Sequence, residues 1–171
     1  MKNKYLWVGS IVSAVLVLDQ WTKHLVGAHI RSREIITVVP GFFNLTNVRN
    51  PGAAFGILAN LPDFWRSAFF IVITVIAVVV IAALIWKTRE PLQLSAFSLI
   101  AGGAVGNVID RVRYGEVVDF IQWYVKSYYW PSFNVADSAI TIGICLLAID
   151  MLFSKQEPEQ LDDKDDAQRS N

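Results

Sequence analysis

The chain of 171 residues holds one cysteine, two histidines and two methionines, and only 18% of it is charged. Each scarcity closes a route. The lone Cys145 permits no intrachain disulfide and lies inside an apolar run, where an isolated thiol behaves as a small hydrophobe. Zinc hydrolases need clustered ligands, whereas His24 and His29 stand five apart and no HExxH occurs. There is no GxSxG for a serine nucleophile, no GxxxxGK for phosphate and no basic patch for nucleic acid. A charged fraction well below the roughly 25% of soluble domains, beside 54% hydrophobic residues, describes a chain that faces lipid.

What is present in abundance is apolar length. Residues 67–86 carry no charge over 20 positions, enough for a helix across a hydrocarbon core of about 30 Å. Three further segments can span: residues 5–26, interrupted by Asp19 and Lys23; 92–110, rich in glycine; and 136–153, bounded by Asp137 and Asp150. With the second span placed at 66–86, these give an all-α membrane protein of four helices, one unit over residues 1–153. Residues 154–171, with six acids against three bases, are expected to form a disordered tail. Two lysines before an apolar run also imitate a signal peptide, but Asp19, Gln20, Lys23 and His24 make an overlong polar region for one. Lys2 and Lys4 favour cytoplasmic termini, although seven Lys and Arg inside against eight outside give that orientation no further support.

The connections carry their own signals. Between spans one and two, VVPGFFNL at 38–45 sets β-branched and aromatic residues around a Pro-Gly turn, which predicts a small β-containing surface element. The segment 114–130 is expected to be a loop whose Trp123, Tyr124, Tyr128, Tyr129 and Trp130 lie at the bilayer interface.

A carboxylate at membrane depth is costly, so the acids mark candidate sites. In GGAVGNVIDR at 102–111, the glycines let helices approach closely, while Asn107 and Asp110 share a helix face and Arg111 is available to pair with Asp110. A structural ion pair at the helix end accounts for these three as well as a site does. VVDF at 117–120 and FNVAD at 133–137 set Asp119 and Asp137 among apolar neighbours. A solvated loop acid and a helix N-cap are the plainer readings. Two such acids at one membrane face suit a pair in which one stays protonated while the other acts as base. Hydrolysis by such a pair needs no cofactor.

NPGAAFG at 50–56, GGAVGNVIDR, VVDF and FNVAD, in this order on a four-span chain with an acid in span one, resemble the bacterial lipoprotein signal peptidase family, the type II signal peptidases. The resemblance covers about residues 5–153. It implies an aspartic endopeptidase of the inner membrane that cuts diacylglyceryl-modified prolipoproteins just before the lipid-modified cysteine, with globomycin as peptide inhibitor. By the same resemblance Asp119 and Asp137 are the catalytic pair. Asn50, Gly52, Asn107, Asp110, Arg111, Asn134 and Ala136 organise the site and hold substrate, and Asp19 is a structural acid. The resemblance further implies a cradle with a half-helix between helices 1 and 2, and an active site at the extracytoplasmic face. The partners expected are substrate and membrane lipid, the chain acting as a monomer without nucleic acid. The rival reading is a small transporter whose Asp19, Asp110, Asp119 and Asp137 relay protons or ions, and a third is an assembly subunit packed through its glycines.

Overall fold

The computed structural model describes residues 3–52 and 61–153. Four helices account for most of them: α1 (Lys4–His29), α2 (Asp63–Lys87), α3 (Pro91–Tyr114) and α4 (Val135–Phe153). All four are long and apolar enough to cross a membrane. Even the shortest, α4 with 19 residues, extends roughly 28 Å. Most of α2 is exposed, Val72, Ile73, Ile76, Val79 and Val80 among its apolar side chains, as expected where lipid rather than protein covers a helix. The acidic tail and the end of NPGAAFG lie outside the described residues, and among the described residues between α1 and α2 no half-helix occurs.

The central helix is α3, packed against α1, α2 and α4. It starts with Pro91, whose fixed φ suits a first turn, and stops at Gly115, which adopts a φ of 77° and returns its N–H to Arg111 O at 2.9 Å. Its small face sets how closely the neighbours come. A methyl group at Gly103 would collide with the carbonyl of Ala136 on α4, and one at Gly106 would stand 2.8 Å from Asp19 Oδ2 on α1. In a bilayer such contact is the main source of helix association, because apolar burial gains little against lipid tails.

An antiparallel sheet caps one end of the bundle in the order β1 (Ile35–Val39), β2 (Phe43–Asn50), β3 (Val117–Val125), β4 (Tyr128–Tyr129). The hairpin expected between α1 and α2 is there. The segment expected to be a loop after α3 is instead β3 and β4, so the sheet is built from both connections. β3 pairs along β2, with Asp119 opposite Val48 and Val117 opposite Asn50. Val118 and Phe120 pack with Val26 of α1 and Ile30 just after it, which seats the sheet on the bundle. Phe133 exchanges backbone bonds with Ile121 (2.9 and 3.0 Å), so the residues leading into α4 are clipped to the strand that carries Asp119. The interfacial aromatics sit at the outer part of this sheet, with Phe42 stacked on Trp123 and Tyr124 on Tyr129.

Candidate active site

The clip at Phe133 brings Asn134 and the first turn of α4 beside Asp119. Asn134 is fully buried and caps α4: its Oδ1 accepts from Asp137 N–H at 2.9 Å, while Asp137 Oδ2 accepts from Asn134 N–H at 3.3 Å. This reciprocal pair makes Asn134 the cap and Asp137 the residue three positions on. Asp137 is thus not itself the N-cap, and its carboxylate lies at the positive end of the helix.

Asn134 Nδ2 donates to Asp119 Oδ1 at 2.7 Å, so a single residue bonds both carboxylates. Asp119 is 1% exposed on a strand, not a solvated loop acid. Its other oxygen accepts from Asn50 Nδ2 at 2.9 Å, and Asp137 Oδ1 accepts from Asn107 Nδ2 at 2.8 Å. Burial pushes the Asp119 carboxyl up to about 7, the nearby Asp137 charge adding to the rise while bonds from Asn50 and Asn134 and the charge of Lys23 oppose it. The group therefore changes protonation near neutral pH.

Behind the pair lies a residue that the motifs did not single out. Lys23 is buried and reaches Asp19 Oδ2 at 2.8 Å, Asp110 Oδ2 at 2.9 Å and Asn107 Oδ1 at 3.1 Å. Each of its two carboxylates holds backbone one residue before a candidate catalytic acid. Asp110 Oδ2 accepts from Val118 N–H at 3.1 Å, and Asp19 Oδ1 from Ala136 N–H at 2.9 Å. Its spacing of four from Asp19 was a readable signal, because such residues face each other on a helix. Asp19 also belongs to the cluster. It lies ten residues before the end of α1, about 15 Å along the axis, and the first turn of α4 is sunk to that depth.

Asp110 therefore pairs with Lys23 and not with Arg111. Consecutive helix residues diverge, so the expected pairing with Arg111 was geometrically poor. Arg111 instead lies over the Phe70 ring at 5.1 Å, bonds Asn107 O at 3.4 Å, and its buried Nε has no partner among the described residues. It lines a cavity of about 420 Å³ with Ser67, Ala68 and Ile71 between α2 and α3. Gly52 has a φ of 88°, donates its N–H to Asn50 Oδ1 at 2.8 Å and abuts Phe70 so closely that no Cβ fits. Ala136 is fully buried at the crossing of α3 and α4.

Fold and site together define an integral membrane protein with a carboxylate pair, Asp119 buried and Asp137 half-buried, held by three asparagines at one end of a four-helix bundle. A family model described as signal peptidase (SPase) II matches residues 11–153. The lipoprotein signal peptidase of Geobacter metallireducens is 51% identical over 155 residues, covering 89% of this chain and 94% of that protein. That of Syntrophus aciditrophicus is 45% identical over 145 residues, covering 84% and 90%. A bacterial membrane enzyme solved by the in meso method at 1.9 Å superposes with a TM-score of 0.76 at 37% identity, over 90% of this chain and 94% of the other. The chain belongs to the signal peptidase II family, and it is a protease.

Proposed function

We propose that the protein is an aspartic endopeptidase that removes the signal peptide from diacylglyceryl-modified prolipoproteins, cutting just before the lipid-modified cysteine. The observation that carries this reading is the bonding of Asp119 and Asp137 to one residue, Asn134. Two carboxyl groups held this way share a proton: the ionised one takes a proton from water as it attacks the scissile carbonyl, and the protonated one gives its proton to the departing amine. The Asp119 value of about 7 keeps the shared-proton form populated near neutrality. Asn107 and Asn50 fix the outer oxygens, and Arg111 presents donors toward the cavity where substrate backbone would lie.

A substrate with an apolar signal helix and a lipid-modified cysteine is itself confined to the bilayer. A dyad sunk within the bundle end meets it without a search through water. On this reading the enzyme lies in the cytoplasmic membrane with both termini cytoplasmic and the dyad toward the extracytoplasmic face. It acts as a monomer and is inhibited by globomycin lying across the dyad. The proton-relay reading draws less support, because Lys23 neutralises part of the charge on Asp19 and Asp110, and all four acids gather in one cluster and not along a path across the spans. The test is cleavage by detergent-purified protein of a diacylglyceryl-modified prolipoprotein, run beside its unmodified precursor and beside Asp119→Asn. Cutting of the modified substrate alone, lost in the variant and blocked by globomycin, is expected; no cutting by folded protein overturns the proposal.

A further inference from the structure

On the side of α1 and α3 away from Arg111 and its cavity, a second cavity of about 300 Å³ opens between the ends of the two helices and strand β2. Its lining includes Lys23, His24, Arg49, Asp110, Arg113 and Tyr114. Lys23 pairs with Asp110 at its buried floor and with Asp19 behind it, so one negative charge remains there against the two guanidinium groups of Arg49 and Arg113. Arg49 and Arg113 have no ion-pair partner among the described residues. Arg49 lies over the Tyr114 ring at 5.1 Å, and Arg113 makes only a long contact of 3.5 Å with Gln20 Oε1. Two guanidinium groups without ion-pair partners in one polar recess, with a histidine beside them, supply the forked donors that recognise a phosphate group.

The position of the recess says where that phosphate comes from. It lies at the ends of two membrane-spanning helices, the level of lipid headgroups. Below it, Val17 and Trp21 continue the stripe of His24 and Ala28 down α1 at helical spacing, and both are more than half exposed. The volume is at the small end of ligand sites, which run from roughly 300 to 1,000 Å³, so it accepts a headgroup and leaves acyl chains outside along that stripe. We infer that Arg49 and Arg113 form a binding site for the phosphate of an anionic glycerophospholipid, whose chains lie against Val17 and Trp21. The site is separate from the carboxylate pair. It goes beyond the proposed peptidase reading and does not depend on it.

The experiment titrates phosphatidylglycerol into the full chain in neutral detergent and counts bound lipid by native mass spectrometry, comparing wild type with the Arg49→Gln/Arg113→Gln double variant. Diacylglycerol of the same chains and inorganic phosphate serve as competitors. One tightly held phosphatidylglycerol is expected, bound at least tenfold more weakly by the double variant and not displaced by diacylglycerol. Because the diacylglyceryl group of the proposed substrate carries no phosphate, displacement by diacylglycerol overturns the assignment. Equal retention by wild type and double variant also overturns it, as does inorganic phosphate binding as tightly as the lipid. Arg113→Gln alone changes an exposed side chain at the end of a helix and leaves folding intact; it is expected to lose affinity severalfold, and no loss counts against the site.

Discussion

Lys23 decides which way Asn107 faces. Its Nζ lies 3.1 Å from Asn107 Oδ1, which also accepts from Asn134 Nδ2 at 3.3 Å, so the amide must turn its NH₂ toward Asp137, 2.8 Å away. A cation on α1 thus orients the donor that holds a carboxylate on α4. Replacing Lys23 with Met leaves Asp19 and Asp110 buried without their counter-charge, a change that costs about 3–5 kcal/mol where a buried pair is broken from one side. Thermal unfolding in detergent should show that loss, and adding Asp19→Asn and Asp110→Asn should recover much of it.

The dyad itself is tested by Asp119→Asn and Asp137→Asn, each of which keeps shape while removing a proton-transfer group. Cleavage is expected to fall by at least about 100-fold in either variant, with membrane insertion unchanged. Activity near wild type in either one would remove that residue from the catalytic role.

Asp119 also links stability to pH. Its folded value of about 7 lies above the ordinary 3.8, so the unfolded chain releases this proton first, and native stability falls as pH rises from about 4 to about 7 and then levels. Asp119→Asn removes the penalty. The variant should therefore melt above wild type at pH 8 and lose that advantage near pH 4, as melting curves across this range will show.

The cleavage rate has a matching pH signature. If the reaction needs one shared proton on the pair, its alkaline limb falls near 7. The charge of Lys23 favours ionised Asp119, so Lys23→Met should carry the limb to higher pH. A kcat/KM profile whose limb is identical in wild type and variant would show that Lys23 acts through stability alone.

At the helix crossing, Gly103→Ala would drive a methyl group into the Ala136 carbonyl, one residue before Asp137. Overpacking of this kind costs roughly 1–3 kcal/mol. The expected result is a lower kcat with near-normal insertion, because α4 must shift away from α3 and take Asp137 with it.

The four spans were legible in the sequence, because uninterrupted apolar length in a chain with so little charge has almost no use but crossing lipid. Asn107 and Asp110 were placed on one face by spacing alone, and both meet Lys23. The strand β3 was not legible: VVDFIQWYV contains no turn signal, and its partner β2 lies about 70 residues earlier in the chain. Its aromatic residues also suit a loop at the bilayer interface, and that placement competed with the strand. The partner of Asp110 was hidden for a related reason. Arg111 is its neighbour in sequence, whereas Lys23 becomes its neighbour only once α1 packs on the small face of α3.

The clip between Phe133 and β3 has a consequence for biosynthesis. Asp19 and Lys23 are made well before α4, yet the backbone N–H that Asp19 holds belongs to Ala136, and Asp137 is in the last of the four described helices. A nascent chain that has inserted three helices has neither the second acid nor the asparagine that joins the two. On the proposed aspartic reading, proteolytic capacity arises in a single late step of membrane insertion, and a chain stalled before that step is inert toward its neighbours in the bilayer.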